Sequence, residues 1–225
     1  MTIGGPVLVV AAHPDDEVLG CGGAMARHVE AGDLVHVIFL ADGETSRNAG
    51  QVEIARREAA AQQAAEALGA QHPRFLRLPD QRLDSINFLD VVQALEAAIA
   101  GLAPRLVYGH HPGDLNLDHR VAAQAVLTMF RPLPGSPVAE IRAFEVPSST
   151  AWSFGVMSTA FTPNLFIDIT RTLPHKLRAL GAYADEIRPF PHPRSREAIE
   201  ATAMRWGSVA GCGRAEAFQI IRSIQ

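Results

Sequence analysis

Apolar residues in the first two thirds of the chain alternate between short unbroken runs and longer stretches with helical spacing. Pro6 to Ala12 is continuously apolar but too short for a stable helix, which predicts a strand buried on both faces. Val18 to Ala31 follows with helical spacing in Leu19, Met25, Ala26 and Val29, and closes at Gly32. The same reasoning predicts strands over Leu34–Leu40, Phe75–Leu78 and Leu106–Gly109. It predicts helices over Val52–Leu68 (stopped by Gly69), Ile86–Ile99 and His119–Met129. Such alternation argues an α/β fold, a mostly parallel sheet with helices on both faces.

After Pro132 the pattern loosens. Glu140–Val146 and Leu165–Ile169 read as strands, Leu173–Tyr183 as a helix, and Ser195–Trp206 as a last helical stretch behind the Pro-rich loop 189–193. Pro132-Leu133-Pro134-Gly135-Ser136-Pro137 is too short to mark a domain boundary. The expectation is one domain over 1–225: a core α/β part over 1–131 and a C-terminal extension over 132–225 that completes the substrate pocket.

Composition narrows the partners. The 225 residues, 48% hydrophobic and 20% charged, are those of an ordinary globule with one core. A net charge of -4 offers no basic field for nucleic acid. Lys176 is the only lysine, which fits a GC-rich coding sequence better than selection for phosphate binding. Cys21 and Cys212 make no disulfide framework, and Cys21 reads as a small buried hydrophobe. The N-terminus, Met1-Thr2-Ile3-Gly4-Gly5-Pro6, lacks the basic and apolar regions of a signal peptide, and no apolar run approaches the roughly 20 residues of a membrane span. A cytoplasmic protein with no membrane insertion is therefore expected; the sequence leaves homo-oligomerisation open.

The chemistry gathers at strand ends. His13-Pro14-Asp15-Asp16-Glu17 leaves the first strand, and His110-His111-Pro112 with Asp114, Asn116, Asp118 and His119 leaves the fourth. Carboxylates this close repel one another and lose hydration near a core, and a divalent cation relieves both costs. In open α/β sheets ligands collect beyond the carboxyl ends of the strands, so these loops and Asp42–Arg47 could face one crevice. Pro14 holds His13 extended. Asp15 and Asp16 then lie on a turn and point different ways, one to coordinate and one to face the incoming ligand. His119 is the natural third ligand of a catalytic zinc site with an open position. Asp118 beside it could accept a hydrogen bond from a ligand histidine and fix its tautomer. Two His and one carboxylate also suit Fe2+.

Ala12-His13-Pro14-Asp15-Asp16-Glu17-Val18-Leu19-Gly20 together with Asn116-Leu117-Asp118-His119 resembles the PIG-L/LmbE family of zinc-dependent N-deacetylases. The resemblance extends to Asp42-Gly43, the Arg56–Gly69 helix, Leu78-Pro79-Asp80 and Pro193-Arg194-Ser195, essentially the whole chain. It implies a Rossmann-like sheet, removal of N-acetyl groups from amino-sugar conjugates such as N-acetylglucosaminides, and one Zn2+ per chain held by His13, Asp16 and His119. It makes Asp15 the general base that deprotonates a water whose pKa the metal lowers to roughly 7. Oxyanion stabilisation is worth roughly 3 kcal/mol per donor.

The chain departs from the family at Asn116, where several members carry a histidine for the oxyanion. An asparagine amide can donate there but cannot act as an acid. His110, His111 or His192 could supply that function, and His192, on a loop stiffened by Pro191 and Pro193, is preferred. Arg47 is a candidate contact for a substrate phosphate or carboxylate, and His111 a second substrate contact. Glu17 reads as an electrostatic cap of the first helix, Gly20-Cys21-Gly22-Gly23 as close helix–sheet packing, and Trp152 with Phe154 as a candidate sugar-binding wall. Two other readings compete: hydrolysis of another amide or a phosphoester, and a non-catalytic sugar-binding protein on the same scaffold.

Overall fold

The computed structural model describes residues 4–47, 49–156 and 159–224; Met1, Thr2 and Ile3 of the N-terminal reading lie outside the described residues. The elements run β1 (Val7–Ala11), α1 (Asp16–Glu30), β2 (Val35–Ala41), α2 (Gln51–Leu68), β3 (Arg74–Leu78), α3 (Phe88–Ala98), β4 (Leu106–His110) and α4 (Leu117–Met129). They continue with β5 (Glu140–Phe144), β6 (Leu165–Asp168), α5 (Leu173–Ala182), α6 (Arg196–Ala210) and β7 (Ala215–Ser223). All seven strands form one sheet in the order β3-β2-β1-β4-β5-β7-β6. The first five pair in parallel, and β7 runs antiparallel between β5 and β6.

Strand alternation explains the two layers of helices. Val7, Val9 and Ala11 face one core with Val18, Met25, Ala64 and Leu180 of α1, α2 and α5. Leu8, Val10 and Ala12 face the other with Val91, Leu95, Ala122 and Val126 of α3 and α4. Every residue of β1 is fully buried, which is why it reads as an unbroken apolar run. Each such aliphatic side chain contributes roughly 1.5–3 kcal/mol by burial.

Both helices that follow the cluster-bearing strands start two residues earlier than their apolar spacing predicts, at Asp16 and at Leu117. The first turn of a helix carries polar residues that a hydrophobic pattern does not register, and here those residues include Asp16. Strand β7 was not anticipated at all. It inserts between two strands that the sequence places as neighbours, and it carries a buried charge, Glu216, in mid-strand.

That charge has a purpose. Helix α1 departs from helical geometry at Cys21 (φ -144°, ψ 17°), so backbone groups on both sides of the break lose their helical partners. Glu216 accepts the N–H groups of Gly23 and Ala24 at 2.9 and 2.7 Å. Lys176 on α5 donates to the Leu19 carbonyl at 2.9 Å and to Glu216 at 2.6 Å. The break is thus capped in both directions by one buried ion pair. The glycines around it permit close packing: a Cβ at Gly20 would sit 2.2 Å from the Phe144 ring, so Gly20→Ala would force that ring aside.

Candidate active site

Strand order reverses between β1 and β4, the adjacent strands whose exits carry the two clusters. His13 comes from the β1 exit, Asp16 opens α1, and His119 lies in the first turn of α4. Their donor atoms fall within 4.8 Å of one another, and all three residues are buried. Asp16 Oδ2 is 3.2 Å from both His13 Nδ1 and His119 Nε2. His110 stacks on His119 with ring centroids 4.0 Å apart.

Each imidazole is oriented from behind. His13 Nε2 lies 3.0 Å from Asp118 Oδ2 and 3.1 Å from Asp80 Oδ1. Asp118 is itself fixed, accepting the N–H groups of Gln81 at 2.8 Å and Leu83 at 3.0 Å. Asp80 accepts from the Ser46 hydroxyl. His119 Nδ1 lies 3.2 Å from Asp114 Oδ1, and Asp114 accepts from Ser149 and Thr150. Carboxylates placed so favour the proton on the outer nitrogen and let Nδ1 of His13 and Nε2 of His119 offer lone pairs to an ion shared with Asp16.

The pKa directions agree with charges converging on Asp16. Burial opposes the charged form of His119, but Asp16 and Asp114 outweigh it and raise the imidazole to about 9. The same balance, with Asp118, Asp16 and Asp80 as partners, raises His13 well above its usual value. Asp16 is held well below the usual carboxylate range, because His119 and His13 outweigh its burial. These directions describe imidazoles neutralising a carboxylate with protons. A cation does the same by replacing the protons.

Donor chemistry favours a cation. Among the buried side-chain atoms without a hydrogen-bond partner are Asp16 Oδ1 and His119 Nε2, both in this group. Two imidazoles and one carboxylate fit Zn2+ or Fe2+. A second combination, His13 with Asp80 and Asp118, is also close enough to hold an ion. Its carboxylates are already engaged by backbone N–H groups and Ser46, so its geometry is that of a support.

Asp15 stands apart from its neighbour. Its backbone is at φ +130°, a conformation that L-residues rarely adopt, and its carboxylate accepts from Arg194 Nη1 at 2.8 Å. Burial raises its pKa to about 6, against the lowering effect of Arg194. Glu17 does not cap α1 from solvent: it is buried, accepts the Asp15 N–H at 3.0 Å and receives the Tyr183 hydroxyl at 2.7 Å.

Other expected residues are placed as follows. Asn116 is the N-cap of α4: its Oδ1 accepts the Asp118 N–H at 2.9 Å and its Nδ2 donates to Gln81 at 3.2 Å. His110 accepts the Ala12 N–H at 2.8 Å, and burial lowers its pKa to about 3, so it is a neutral wall behind His119. His111 is buried with Nε2 3.0 Å from the Thr159 carbonyl, and its ring lies edge-on to Phe161. His192 accepts the Arg194 N–H at 3.0 Å and meets the half-exposed Trp152 ring edge-on at 5.4 Å. Among the described residues, no hydrogen bond or ion pair joins His192 or His111 to the His13/Asp16/His119 group. Arg47 is half-exposed and doubly bonded to Glu186, at 2.8 and 3.2 Å.

Sequence reasoning missed Asp80, Asp114, Arg194 and Glu186 as partners. Asp80 and Asp114 stood in strand-exit segments already singled out, and the need of each ligand imidazole for a carboxylate was the usable signal. A cavity of about 330 Å³, lined by Glu44, Arg47, Arg57, Tyr183 and Asp185 among others, opens at the arginines that pair with Glu186; His13, Asp16 and His119 do not line it.

An imidazole–carboxylate group at the switch point of a mostly parallel sheet defines an α/β domain with a group able to hold a metal ion at its strand exits. The chain belongs to the family described as PIG-L: GlcNAc-PI de-N-acetylase, which matches residues 8–130. It is 27% identical over 188 residues to the probable N-acetyl-alpha-D-glucosaminyl L-malate deacetylase 2 of Bacillus cereus, covering 80% of this chain and 83% of that one. It is 31% identical over 205 residues to the 4-oxalmesaconate hydratase of Pseudomonas putida, covering 80% and 73%. The crystal structure of the conserved protein TT1542 from Thermus thermophilus superposes with a TM-score of 0.77 at 26% identity, covering 98% and 96%. The Rossmann-like α/β fold and the family expected from the motifs both hold. Among the described residues no helix is long and apolar enough to cross a membrane.

Proposed function

We propose that this protein hydrolyses the N-acetyl group of an amino-sugar conjugate, with one Zn2+ held by His13, Asp16 and His119. The observation that carries the reading is the pair of buried donor atoms without a hydrogen bond, Asp16 Oδ1 and His119 Nε2, beside an Asp15 carboxylate that does not join them. A bound divalent ion supplies Lewis acidity to the acyl carbonyl and to water. Asp15 takes one proton from the attacking water and returns it to the amine nitrogen as the C–N bond breaks. Water and amide are thereby converted to acetate and a free amine. Asp118 and Asp80 hold His13, and Asp114 holds His119, so neither imidazole need reorganise during turnover. The second N–H of Asn116 Nδ2 and the ring of His192 serve as donors to the oxyanion and the leaving group. Arg47 lines the cavity that takes the remainder of the conjugate, and residues 132–225 complete that pocket. His111, expected as a substrate contact, joins this reading by holding the Thr159 carbonyl.

The kinship with a hydratase favours one second reading, addition of water to an unsaturated acid such as 4-oxalmesaconate at the same centre. Elemental analysis paired with a free-amine assay on N-acetylglucosaminides, with and without a chelator, separates the two. About one zinc per chain with chelator-sensitive amine release supports deacetylation. Metal without amine release, but with loss of the ultraviolet absorbance of an unsaturated oxo acid, supports hydration. Absence of both metal and turnover after reconstitution leaves the sugar-binding alternative.

A further inference from the structure

The strained backbone of Asp15 is clamped from three directions, and the clamps converge on the short turn that follows α5. The Pro14–Asp15 peptide is held at both ends: its carbonyl faces Arg57 Nη1 at 3.4 Å, and its N–H donates to Glu17 at 3.0 Å. Glu17 is in turn held by Tyr183. The carboxylate itself is held by Arg194 Nη1, whose Nε donates to Ser148 at 2.8 Å. Glu186, three residues beyond Tyr183, accepts from Arg194, Arg57 and Arg47 together. Glu186 and Arg57 are buried, and Arg194 exposes one fifth of its side chain. A residue at φ +130° persists only when its surroundings over-determine it, and these contacts do so.

We propose that Arg194, backed by Glu186, is the positioning residue that fixes the Asp15 carboxylate for proton transfer. This rests on the deacetylase reading, in which Asp15 is the base. A planar guanidinium anchored on Ser148 and Glu186 leaves Asp15 Oδ2 one permitted location, whereas an ammonium lacks the fork that makes these bonds at once. Turnover depends on placement of the base to within a fraction of an ångström, so loss of Arg194 should act on kcat and leave substrate affinity nearly unchanged.

The test compares zinc-loaded wild type, Arg194→Gln, Arg194→Lys, Glu186→Gln and the exposed control Arg196→Ala. Expected for Arg194→Gln are wild-type metal content, a roughly 100-fold lower kcat, KM within about threefold, and partial recovery on adding free guanidinium. Arg194→Lys should fall between, Glu186→Gln should lose roughly tenfold, and Arg196→Ala should match wild type. An unchanged kcat in Arg194→Gln, or a rise confined to KM, overturns the proposal. A cycle of Asp15→Asn, Arg194→Gln and the double variant in thermal unfolding needs no turnover. Non-additivity of a few degrees supports the pairing even if wild type releases no amine, an outcome that would sink the deacetylase reading alone; additive shifts overturn it.

Discussion

Two buried ionic clusters lie within a few turns of each other on α1, and they differ in one respect. At the break near Cys21, Lys176 and Glu216 meet each other, a carbonyl and two N–H groups, and none of their side-chain atoms is left over. At the start of the same helix, Asp16 Oδ1 and His119 Nε2 are buried and make no hydrogen bond. At the break the buried pair is fully bonded, whereas the group at the helix start keeps donor atoms over for a ligand. Incomplete satisfaction, rather than burial or charge, separates the two sites.

The sharpest break of this comparison is His119→Ala. It should abolish stoichiometric zinc and lower amine release by at least about a thousandfold, as expected when metal-assisted water activation is lost, while the metal-free protein stays folded. Metal analysis and circular dichroism read both. Lys176→Ala should do the reverse. Leaving Glu216 buried without its cation costs about 3–5 kcal/mol of stability in urea unfolding, yet zinc content should be retained. Zinc added at a hundredfold above its Kd should stabilise wild type by about 2.7 kcal/mol, a rise of roughly 5–10 °C in Tm, and leave His119→Ala unmoved.

The smallest effect concerns acid. Burial pushes the Glu186 carboxyl up, but Arg47 and Arg57 outweigh it and hold the folded value below the usual one. Its stabilising contribution is therefore complete above the ordinary carboxylate value of about 4.3 and is lost as pH falls through the lowered folded value. Glu186→Gln should make the acid limb of a stability–pH curve shallower and leave the limb above pH 6 parallel to wild type.

The proposed ligands were legible because local rules place them. His13 sits where Pro14 enforces an extended exit, and Asp16 and His119 lie in the first turns of the helices that follow buried strands. Asp118 was legible as a partner for a ligand histidine because it adjoins one, although the imidazole it meets is that of His13, across the strand pair. What stayed hidden is held over long separations. Arg194 meets Asp15 across 179 residues, and nothing in Pro193-Arg194-Ser195 marks it as a partner for the first cluster. Arg47 read as a free cation because Glu186, 139 residues away, is absent from its local sequence. Strand β7 was missed for the same reason: the strands it pairs with, β5 and β6, lie far upstream, and Glu216 interrupts its apolar face until Lys176 is seen beneath it.

The cap on the α1 break has a consequence in time. Gly23 and Glu216 are 193 residues apart, so on a ribosome adding about 5–20 residues each second the helix waits roughly 10–40 s for its acceptor. Until then the N–H groups of Gly23 and Ala24 have no protein partner from β7, and α1 cannot settle against the sheet in its final form. The helix that opens with Asp16 is therefore synthesised well before the strand that caps its break.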